Sequence, residues 1–478
     1  MVFSSMTFLY YFLPAVLLIY FVVPAKGKNV VLLISSLIFY GWGESRAINI
    51  AGHPVLYGYV LFMLLTILVG YLSALVIEKY KDKVTGRITL IIALFCCLLG
   101  LGFFKYANFF IEIVAGIIGV TPRLLDIALP IGISFYTFQL ISYVVDVYRG
   151  QVKAIRNPIT LYTYVIMFPQ LIAGPIVRYS DVEQELSHRT HSIPMVREGI
   201  VRFVIGLGKK VLIANQLGAL VDVAKSVQEN SVTLSWVCAI AAALQIYFDF
   251  SGYSDMAIGL GRILGFRFPE NFDYPYVSKS ITEFWRRWHM TLGGWFRDYV
   301  YIPMGGSRVG KGRLIFNLLV VWSLTGLWHG ATMNFVVWGL FFGVLLIIEK
   351  LFILSYLQKA KGINHIYVLM ATVISFVIFS CDTLGQAGAM LKNMFGMGGL
   401  SLMTKESLYH VASYGFTLFV AIIGATPLVK KIAQRAMAAA EKYKLDTVLE
   451  SVVLALILIL STAHIVDGSF NPFLYFRF

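Results

Sequence analysis

Apolar segments long enough to cross a bilayer recur along the whole of this chain. Of its 478 residues, 58% are hydrophobic and only 13% are charged, whereas soluble domains carry about 25% charged residues. Since a helix needs about 20 apolar residues to span the hydrocarbon core, we predict an all-α, polytopic membrane protein with about 11–13 transmembrane or re-entrant helices. The apolar segments, some of them short enough to be partial spans, lie at roughly 6–24, 30–42, 54–77, 88–104, 106–120, 128–147, 159–177, 199–222, 232–248, 314–330, 333–354, 366–380, 411–428 and 451–466.

Basic residues lie mainly in short loops between these segments and give a net charge of +14. Lysine and arginine beside membrane segments favour the cytoplasmic side and contact anionic lipid, so this excess indicates topology rather than nucleic-acid binding. Lys26 and Lys28 directly follow the first segment, which predicts an amino terminus outside and a first loop inside. Thr7–Pro24 has no basic region before it and no small-residue cleavage site after it, so we expect a retained helix and not a signal peptide.

The four cysteines predict neither a metal site nor a disulfide framework. All four lie in apolar surroundings, and none has the spacing of zinc ligands. We therefore expect buried thiols that pack as small hydrophobic groups. These residues are Cys96, Cys97, Cys238 and Cys381.

The middle of the chain departs from simple membrane helices. Segments 128–147 and 159–177 contain prolines and glycines, and a broken segment must be packed in protein or line a cavity because free backbone groups cannot face lipid. Between Arg262 and Arg313 there are nine Lys and Arg against four Asp and Glu, with several tryptophans and tyrosines. Basic and aromatic residues together predict interfacial helices, here on the cytoplasmic face. A second basic stretch, Lys430–Lys444, is predicted to be a loop.

Two histidines predict chemistry inside the membrane region. His329 lies in Gly326–Ala331, and His289 ends the run Trp285–His289. An apolar site favours the neutral imidazole, which can accept a proton from a hydroxyl group as a general base in acyl transfer. For an arbitrary membrane histidine, a packed side chain without chemistry is an equal alternative.

The residues before His289 predict a binding surface. On one helix, Trp285, Trp288 and His289 would share a face, while Arg286 and Arg287 would turn elsewhere. The arginine pair could hold the phosphates of a nucleotide-like cofactor. Contact with lipid phosphate or a purely topological role is an equal alternative for these arginines.

Two acids follow the apolar segment 232–248 in the run Asp249–Asp255. Acids this close to a membrane segment need partners. They could orient a histidine by accepting its second ring proton, or they could pair with Arg262 or Arg267. We expect a structural role for Asp249 and leave the role of Asp255 open.

Five stretches, in this order along the chain, resemble the membrane-bound O-acyltransferase family. They are Gln170–Arg178, Asp249–Asp255, Thr282–Leu292, Trp295–Pro303 and Leu327–Ala331. The ending Asn471–Phe478 is similar to the branch of alginate-type polysaccharide O-acetyltransferase membrane subunits. The resemblance covers essentially the whole chain. One departure is that the family often has tryptophan shortly after Ala331, where this chain has Met333 and Asn334.

The resemblance implies a fold and a site. The fold would be one domain, 1–478, that forms a ring of helices around a central tunnel. It would comprise amino-terminal helices 1–125, a catalytic core 126–354 and carboxy-terminal helices 355–478. His329 would be the catalytic histidine, acting as a general base or an acetyl relay, and His289 would position the thioester end. From the residues themselves, we also assign Arg286, Arg287, Trp285, Trp288 and Asp255 to binding of the donor.

The resemblance also implies a reaction and a setting. The donor would be cytoplasmic acetyl-CoA, with no metal ion involved. The acetyl group would cross the bacterial inner membrane to a polysaccharide, with an extracytoplasmic acetyltransferase as the partner protein.

Two other functions stay open at this point. A D-alanyl transfer protein of teichoic-acid modification would share the fold and the histidines but take its acyl group from a carrier protein. A membrane transporter would be expected to show an internal repeat with paired broken helices. The sequence has broken segments, but we find no repeat in it.

Overall fold

The computed structural model describes residues 2–44, 48–50, 53–468 and 473, and most of them are helical. Within these residues the only strands are Ile48–Ile50 and His53–Val55, which form one antiparallel pair. The predicted all-α class is therefore confirmed. Of the predicted signature at the carboxy terminus, Asn471–Phe478, only Phe473 is among the described residues.

The chain divides into two compact units. The first comprises residues 1–200 and 257–269, and the second comprises 201–256 and 270–478. Two helices, Ile193–Gly208 and Val232–Ile263, contribute residues to both units. The predicted three-part division, at residues 125 and 354, stays a prediction.

The first unit contains the amino-terminal helices. Its α-helices are Leu13–Val22, Lys28–Gly43, Gly58–Lys79, Val84–Leu101, Ala107–Ile118, Ile133–Arg149, Pro158–Ile166, Phe168–Leu171 and Tyr179–Ser187. Thr7–Phe12 and Gly102–Tyr106 are π-helical turns that continue into neighbouring helices, and Ala25–Gly27 is a 3₁₀ turn. The predicted break in segment 159–177 is present, and its backbone is packed in protein. Gln170, for example, is buried and donates to the Tyr164 carbonyl at 2.5 Å.

The second unit contains the short central helices and the carboxy-terminal helices. Its α-helices are Asn215–Ser226, Ile281–Arg287, Met290–Phe296, Lys311–His329, Met333–Ile348, Leu354–Lys359, Ile363–Ser380, Leu384–Met394, Lys405–Ser413, Gly415–Gly424, Leu428–Glu441 and Asp446–Asp467. Lys209–Ala214, Arg297–Tyr301 and Glu349–Ile353 are π-helical, and Pro275–Val277 is a 3₁₀ turn. The predicted short helices of the basic region are therefore present.

Seven helices among the described residues are long and apolar enough to cross a membrane, or eight if one bent pair is counted as a span. They are Gly58–Lys79, Val84–Ile118, Ile193–Ser226, Val232–Ile263, Met333–Lys359, Ile363–Ser380 and Asp446–Asp467, and the bent pair is Lys405–Ser413 with Gly415–Gly424. This number is lower than predicted because 88–104 and 106–120 form one helical run. Other predicted segments, such as 30–42 and 128–147, form helices of 16 and 17 residues.

Two sequence predictions are corrected by these bounds. Asp249–Asp255 lies within the helix Val232–Ile263 and does not follow a membrane segment. Most of the stretch predicted as a basic loop, Lys430–Lys444, belongs to the helix Leu428–Glu441. None of the residues in that helix is buried.

Glycines allow two close helix contacts in the second unit. A Cβ atom on Gly206 would lie 2.6 Å from the Gly252 carbonyl oxygen. The helices that carry these two glycines, Ile193–Gly208 and Val232–Ile263, are therefore in close backbone contact there. The helices Lys311–His329 and Met333–Ile348 pack in the same way. There, a Cβ on Gly326 would overlap the Phe335 carbonyl, and one on Gly339 would overlap the Trp322 carbonyl. This second contact fixes the helix end that carries His329.

Candidate active site

The two predicted histidines both contact the ring of one tryptophan, Trp328. The centroid of the Trp328 ring is 5.8 Å from that of His289 and 5.0 Å from that of His329. Both histidines are buried: the exposed fraction of the residue is 1% for His289 and 4% for His329. The second unit therefore brings together two histidines that are 40 positions apart in the sequence.

His329 is held at the end of a helix by aromatic rings and glycines. It is the last residue of Lys311–His329, and its ring lies edge-on to Trp338 at 4.9 Å and to Phe379 at 5.4 Å. Gly330 follows it, and a Cβ atom there would overlap the Phe335 ring. The glycine after the histidine is thus explained by packing: only a residue without a side chain leaves room for Phe335.

His289 has an unusual backbone conformation. Its φ and ψ angles are 45° and 52°, in the left-handed region, at the start of the helix Met290–Phe296. The preceding helix ends at Arg287, so the predicted continuous helix through Trp285, Trp288 and His289 is wrong. The hydrophobic pattern could not reveal this break, because the residues on both sides of it are apolar or aromatic.

The two tryptophans before His289 pack into the hydrophobic core. The Trp288 ring stacks on Phe284 at 5.5 Å and contacts Phe272 and Phe376. The Trp285 ring lies edge-on to Trp322 at 4.6 Å. These contacts support the short helix that leads to His289, and the predicted role of both tryptophans at the donor stays a prediction.

Asn271 fixes the orientation and tautomer of His289. The Nδ1 atom of His289 lies 3.0 Å from Asn271 Oδ1, which also accepts from the Thr291 hydroxyl at 2.8 Å and from the Thr291 amide at 3.4 Å. Because the amide oxygen is an acceptor, Nδ1 carries the proton and Nε2 carries the lone pair. Asn271 is itself held, since its Nδ2 donates to the Ser254 hydroxyl at 3.1 Å.

The Nε2 atom of His289 is buried and has no hydrogen-bond partner among the described residues. Burial lowers the pKa of His289 to about 3, and no described carboxylate offsets this effect. The ring is therefore neutral near neutral pH and presents an acceptor, not a donor, at Nε2. This arrangement favours contact with a hydroxyl or thiol group over contact with a thioester carbonyl.

The acids predicted near the histidines have other partners. Asp255 accepts from Arg202 at 2.9 Å and from Lys209 at 2.7 Å, and Asp249 pairs with Lys210 at 2.5 Å. Among the described residues, the ion pairs of these two acids are with Arg202, Lys209 and Lys210 and not with the predicted Arg262 or Arg267. It is Asn271 that accepts the second ring proton of His289. The structural role expected for Asp249 agrees with this pairing, and the donor-binding role predicted for Asp255 stays a prediction.

The two arginines of the predicted pair have different surroundings. Arg287 pairs with Asp273 at 2.8 Å and with Glu283 at 3.0 Å. Arg286 is exposed and forms no ion pair with any carboxylate that the structure describes. Of the two arginines, Arg286 is therefore the one that presents an uncompensated charge to a phosphate.

Two supporting residues were not predicted from the sequence. Asn271 is one of them, and nothing in the local pattern distinguishes it from a loop residue. Glu349 is the other: it is fully buried and accepts from the Ile281 amide at 2.5 Å and the Thr282 amide at 2.8 Å. A carboxylate at a helix amino terminus is favourable, and this one anchors the helix that leads to the His289 turn.

These features define a multi-pass membrane protein with two buried histidines that share one indole ring. Residues 151–383 match the model of the MBOAT, membrane-bound O-acyltransferase family. The chain is 37% identical to the probable alginate O-acetylase of Azotobacter vinelandii, with all of both chains covered. We conclude that this chain belongs to the membrane-bound O-acyltransferase family and is an acyltransferase.

Two further relatives have different substrates in their names. The peptidoglycan O-acetyltransferase of Helicobacter pylori is 32% identical, with 85% of this chain and 82% of the relative covered. The teichoic acid D-alanyltransferase of Bacillus subtilis is 29% identical, with 52% of this chain and 65% of the relative covered. The match to the O-acetylating relatives is therefore both longer and higher in identity.

Proposed function

We propose that this protein transfers an acetyl group from cytoplasmic acetyl-CoA across the bacterial inner membrane for O-acetylation of an extracytoplasmic polysaccharide. The full-length similarity to an alginate O-acetylase supports the acetyl group and the polysaccharide. The observation that carries the proposal is the pair of buried histidines on Trp328, because acyl transfer to a hydroxyl needs a group that accepts its proton.

In the proposed reaction, His329 removes the proton from the acceptor hydroxyl. The hydroxyl oxygen forms a bond to the thioester carbonyl carbon, the carbon–sulfur bond breaks, and the proton passes to the departing thiolate. In the alternative role, an imidazole nitrogen of His329 bonds to the thioester carbonyl carbon as the carbon–sulfur bond breaks. The hydroxyl oxygen then bonds to the same carbon as the carbon–nitrogen bond breaks, and the hydroxyl proton passes to the thiolate. The neutral Nε2 of His289 accepts a hydrogen bond from the hydroxyl or thiol and so orients it.

Residues of the basic region between Arg262 and Arg313 would bind the donor. Arg286 is the residue of the predicted pair that can bind a phosphate without first leaving a carboxylate. Arg287 has a structural role, since its ion pairs with Asp273 and Glu283 stabilise the end of its helix.

The acceptor side would need a second protein. The family resemblance implies an extracytoplasmic acetyltransferase that delivers the acetyl group to the sugar. This division of labour is part of the proposal, as is contact with anionic membrane lipid. Family membership favours acyl transfer over the transporter alternative.

Acetyl transfer by the purified protein tests the proposal. The full chain is reconstituted with its partner, radiolabelled acetyl-CoA and the polysaccharide, and labelled polysaccharide is counted. We expect His329→Ala to abolish transfer, whereas His188→Ala, at an exposed loop histidine, retains it. Full transfer by His329→Ala would show the catalytic assignment to be wrong.

A parallel assay tests the D-alanyl alternative. The wild-type chain is offered a D-alanyl-loaded carrier protein in place of acetyl-CoA. We expect no transfer from the carrier. Transfer from the carrier but not from acetyl-CoA would reverse the choice of donor.

A further inference from the structure

Three basic side chains surround the buried phenol of Tyr20 in the first unit. Lys28 and Arg189 have their cationic groups 4.5 Å and 5.9 Å from the centre of the Tyr20 ring. The His191 ring lies edge-on to Tyr20 at 5.7 Å. We call Tyr20, Lys28, Arg189 and His191 the Tyr20 cluster. Tyr20 lies in the last turn of the apolar helix Thr7–Val22, and Lys28 begins the next helix after a loop predicted to face the cytoplasm.

Hydrogen bonds hold this cluster in a defined arrangement. The Tyr20 hydroxyl donates to the Leu264 carbonyl at 2.6 Å, so it accepts from Arg189 Nη1 at 3.1 Å and from His191 Nε2 at 3.1 Å. Arg189 Nη2 donates to the side-chain oxygen of Asn29. The guanidinium plane also lies over the Phe266 ring at 4.8 Å. The basic groups are therefore positioned before any ligand arrives.

The positive charge of the cluster has no carboxylate partner. None of Lys28, Arg189 and His191 forms an ion pair with an acid that the structure describes, although Arg156, Arg202, Arg262, Arg287 and Arg297 all do. Burial and the neighbouring Arg189 lower the pKa of Lys28. Burial, Lys28 and Arg189 lower the pKa of His191. An anion placed here would relieve this repulsion.

Donor groups remain available in the cluster. The Lys28 ammonium contacts only the aromatic faces of Tyr20 and Phe21 and has no hydrogen-bond acceptor in the described part of the chain. The Nε–H of Arg189 also makes no hydrogen bond to a described residue, since this side chain donates through Nη1 and Nη2. The side chains of Lys28, Arg189 and His191 are half-buried, so a ligand can reach them from the surface.

We propose that the Tyr20 cluster binds a phosphate group. A guanidinium in a fixed plane with a lysine beside it suits the several oxygens of a phosphate, and the end of an apolar helix is the depth at which lipid headgroups lie. Two sources share this chemistry: the headgroup of an acidic phospholipid and the nucleotide part of coenzyme A. The lipid source is independent of the proposed acetyl transfer, whereas the coenzyme source rests on it.

Binding to the full-length protein in a nonionic detergent tests the proposal. One arm titrates phosphatidylglycerol and the other titrates adenosine 3′,5′-bisphosphate, and binding is followed by native mass spectrometry and by thermal unfolding. The test variant is the double substitution Lys28→Gln with Arg189→Gln. The control is Lys359→Gln with Lys361→Gln, two exposed cations that belong to the second unit.

We expect saturable binding of at least one probe to the wild type and the control, and affinity weaker by about tenfold or more in the double variant. Binding of the lipid alone identifies a headgroup site, and binding of the bisphosphate alone identifies a coenzyme site. Equal affinity of the wild type and the double variant for both probes, or no saturable binding of either, overturns the proposal.

A single variant keeps the test valid if the double variant misfolds. Lys28→Gln removes an ammonium group that makes no hydrogen bond to a described residue. The hydrogen bonds among Tyr20, Arg189 and Asn29 should therefore stay intact. We expect weaker binding with Lys28→Gln and recovery with Lys28→Arg. Unchanged affinity in a folded Lys28→Gln protein counts against the proposal.

Discussion

Asn271 is expected to act on catalysis through His289 without touching the substrate. Its side-chain oxygen accepts the His289 Nδ1 proton at 3.0 Å and so sets which nitrogen presents a lone pair. Asn271→Leu has a similar volume but no acceptor. The buried Nδ1–H and the Thr291 donors would lose their partner, and the imidazole would lose the bond that orients it.

The size of the effect follows from the cost of an unsatisfied donor. Leaving a buried donor without a partner costs about 1–3 kcal/mol. If that cost falls on the reactive arrangement, kcat decreases by roughly 5- to 150-fold, because about 1.4 kcal/mol corresponds to a factor of ten. The KM for acetyl-CoA should change little, since Asn271 acts on the imidazole and not on the donor.

The substitution Asn271→Asp distinguishes a role in orienting His289 from a role in stabilising the fold. Asn271→Asp retains an oxygen for Nδ1–H but adds a negative charge, which raises the pKa of His289 from its wild-type value of about 3. The imidazolium form then persists to higher pH and has no lone pair at Nε2. The rate of Asn271→Asp should therefore fall as the pH is lowered, in a range where His289 of the wild type does not titrate.

The assay is acetyl transfer measured from pH 5 to 9, normalised to folded protein by thermal unfolding and gel filtration. We expect Asn271→Leu to be slow at every pH and Asn271→Asp to recover at high pH. A merely structural asparagine would lower the amount of folded protein and leave the pH profile unchanged. Wild-type kcat in folded Asn271→Leu, or identical pH profiles for Asn271→Asp and the wild type, would refute the reasoning.

Three further substitutions test other contacts. Gly330→Ala should lower the free energy of unfolding by about 1–3 kcal/mol through overlap with a buried ring, whereas Gly388→Ala, where nothing lies within 4 Å, should not, as thermal unfolding would measure. Lys210→Met removes the cation that pairs with the buried Asp249 and should cost about 3–5 kcal/mol, much of it recovered when Asp249→Leu is added. Arg286→Gln should raise the KM for acetyl-CoA with kcat unchanged, since it removes binding common to ground and transition states.

Each of these expectations has an opposing result. An unchanged unfolding temperature for Gly330→Ala would mean that the Phe335 ring moves aside at little cost in free energy. Additive losses in the Lys210 and Asp249 variants would mean that the two residues act independently. For the donor site, Arg287→Gln is the comparison: a larger rise in KM there than with Arg286→Gln would reverse the roles assigned to the two arginines.

The sequence alone could predict the helical membrane class and the joint burial of His289 and His329. Long apolar runs are a property of local composition, and a histidine within them is conspicuous. The number of spans was harder to predict, since segments 88–104 and 106–120 join through a π-helical turn that composition does not mark. The acids of Asp249–Asp255 were misplaced because charged residues inside a buried helix look like the residues that follow one.

The partners of the histidines could not be predicted for a physical reason. The bond from His289 to Asn271 joins residues 18 positions apart, and the ring contacts with Trp328 join more distant segments. Such contacts exist only once helices have packed. Hydrophobic periodicity reports which face is apolar, but it does not report which polar group finds which partner.

The left-handed backbone of His289 affects how its chemistry can be isolated. An alanine there would remove the imidazole and also place an unfavourable side chain at a φ of 45°, so lost activity would have two causes. Glycine adopts this conformation freely and leaves the space of the ring empty. Chemical rescue with free imidazole is therefore best attempted on His289→Gly, where a returning ring could restore transfer on a backbone that has kept its shape.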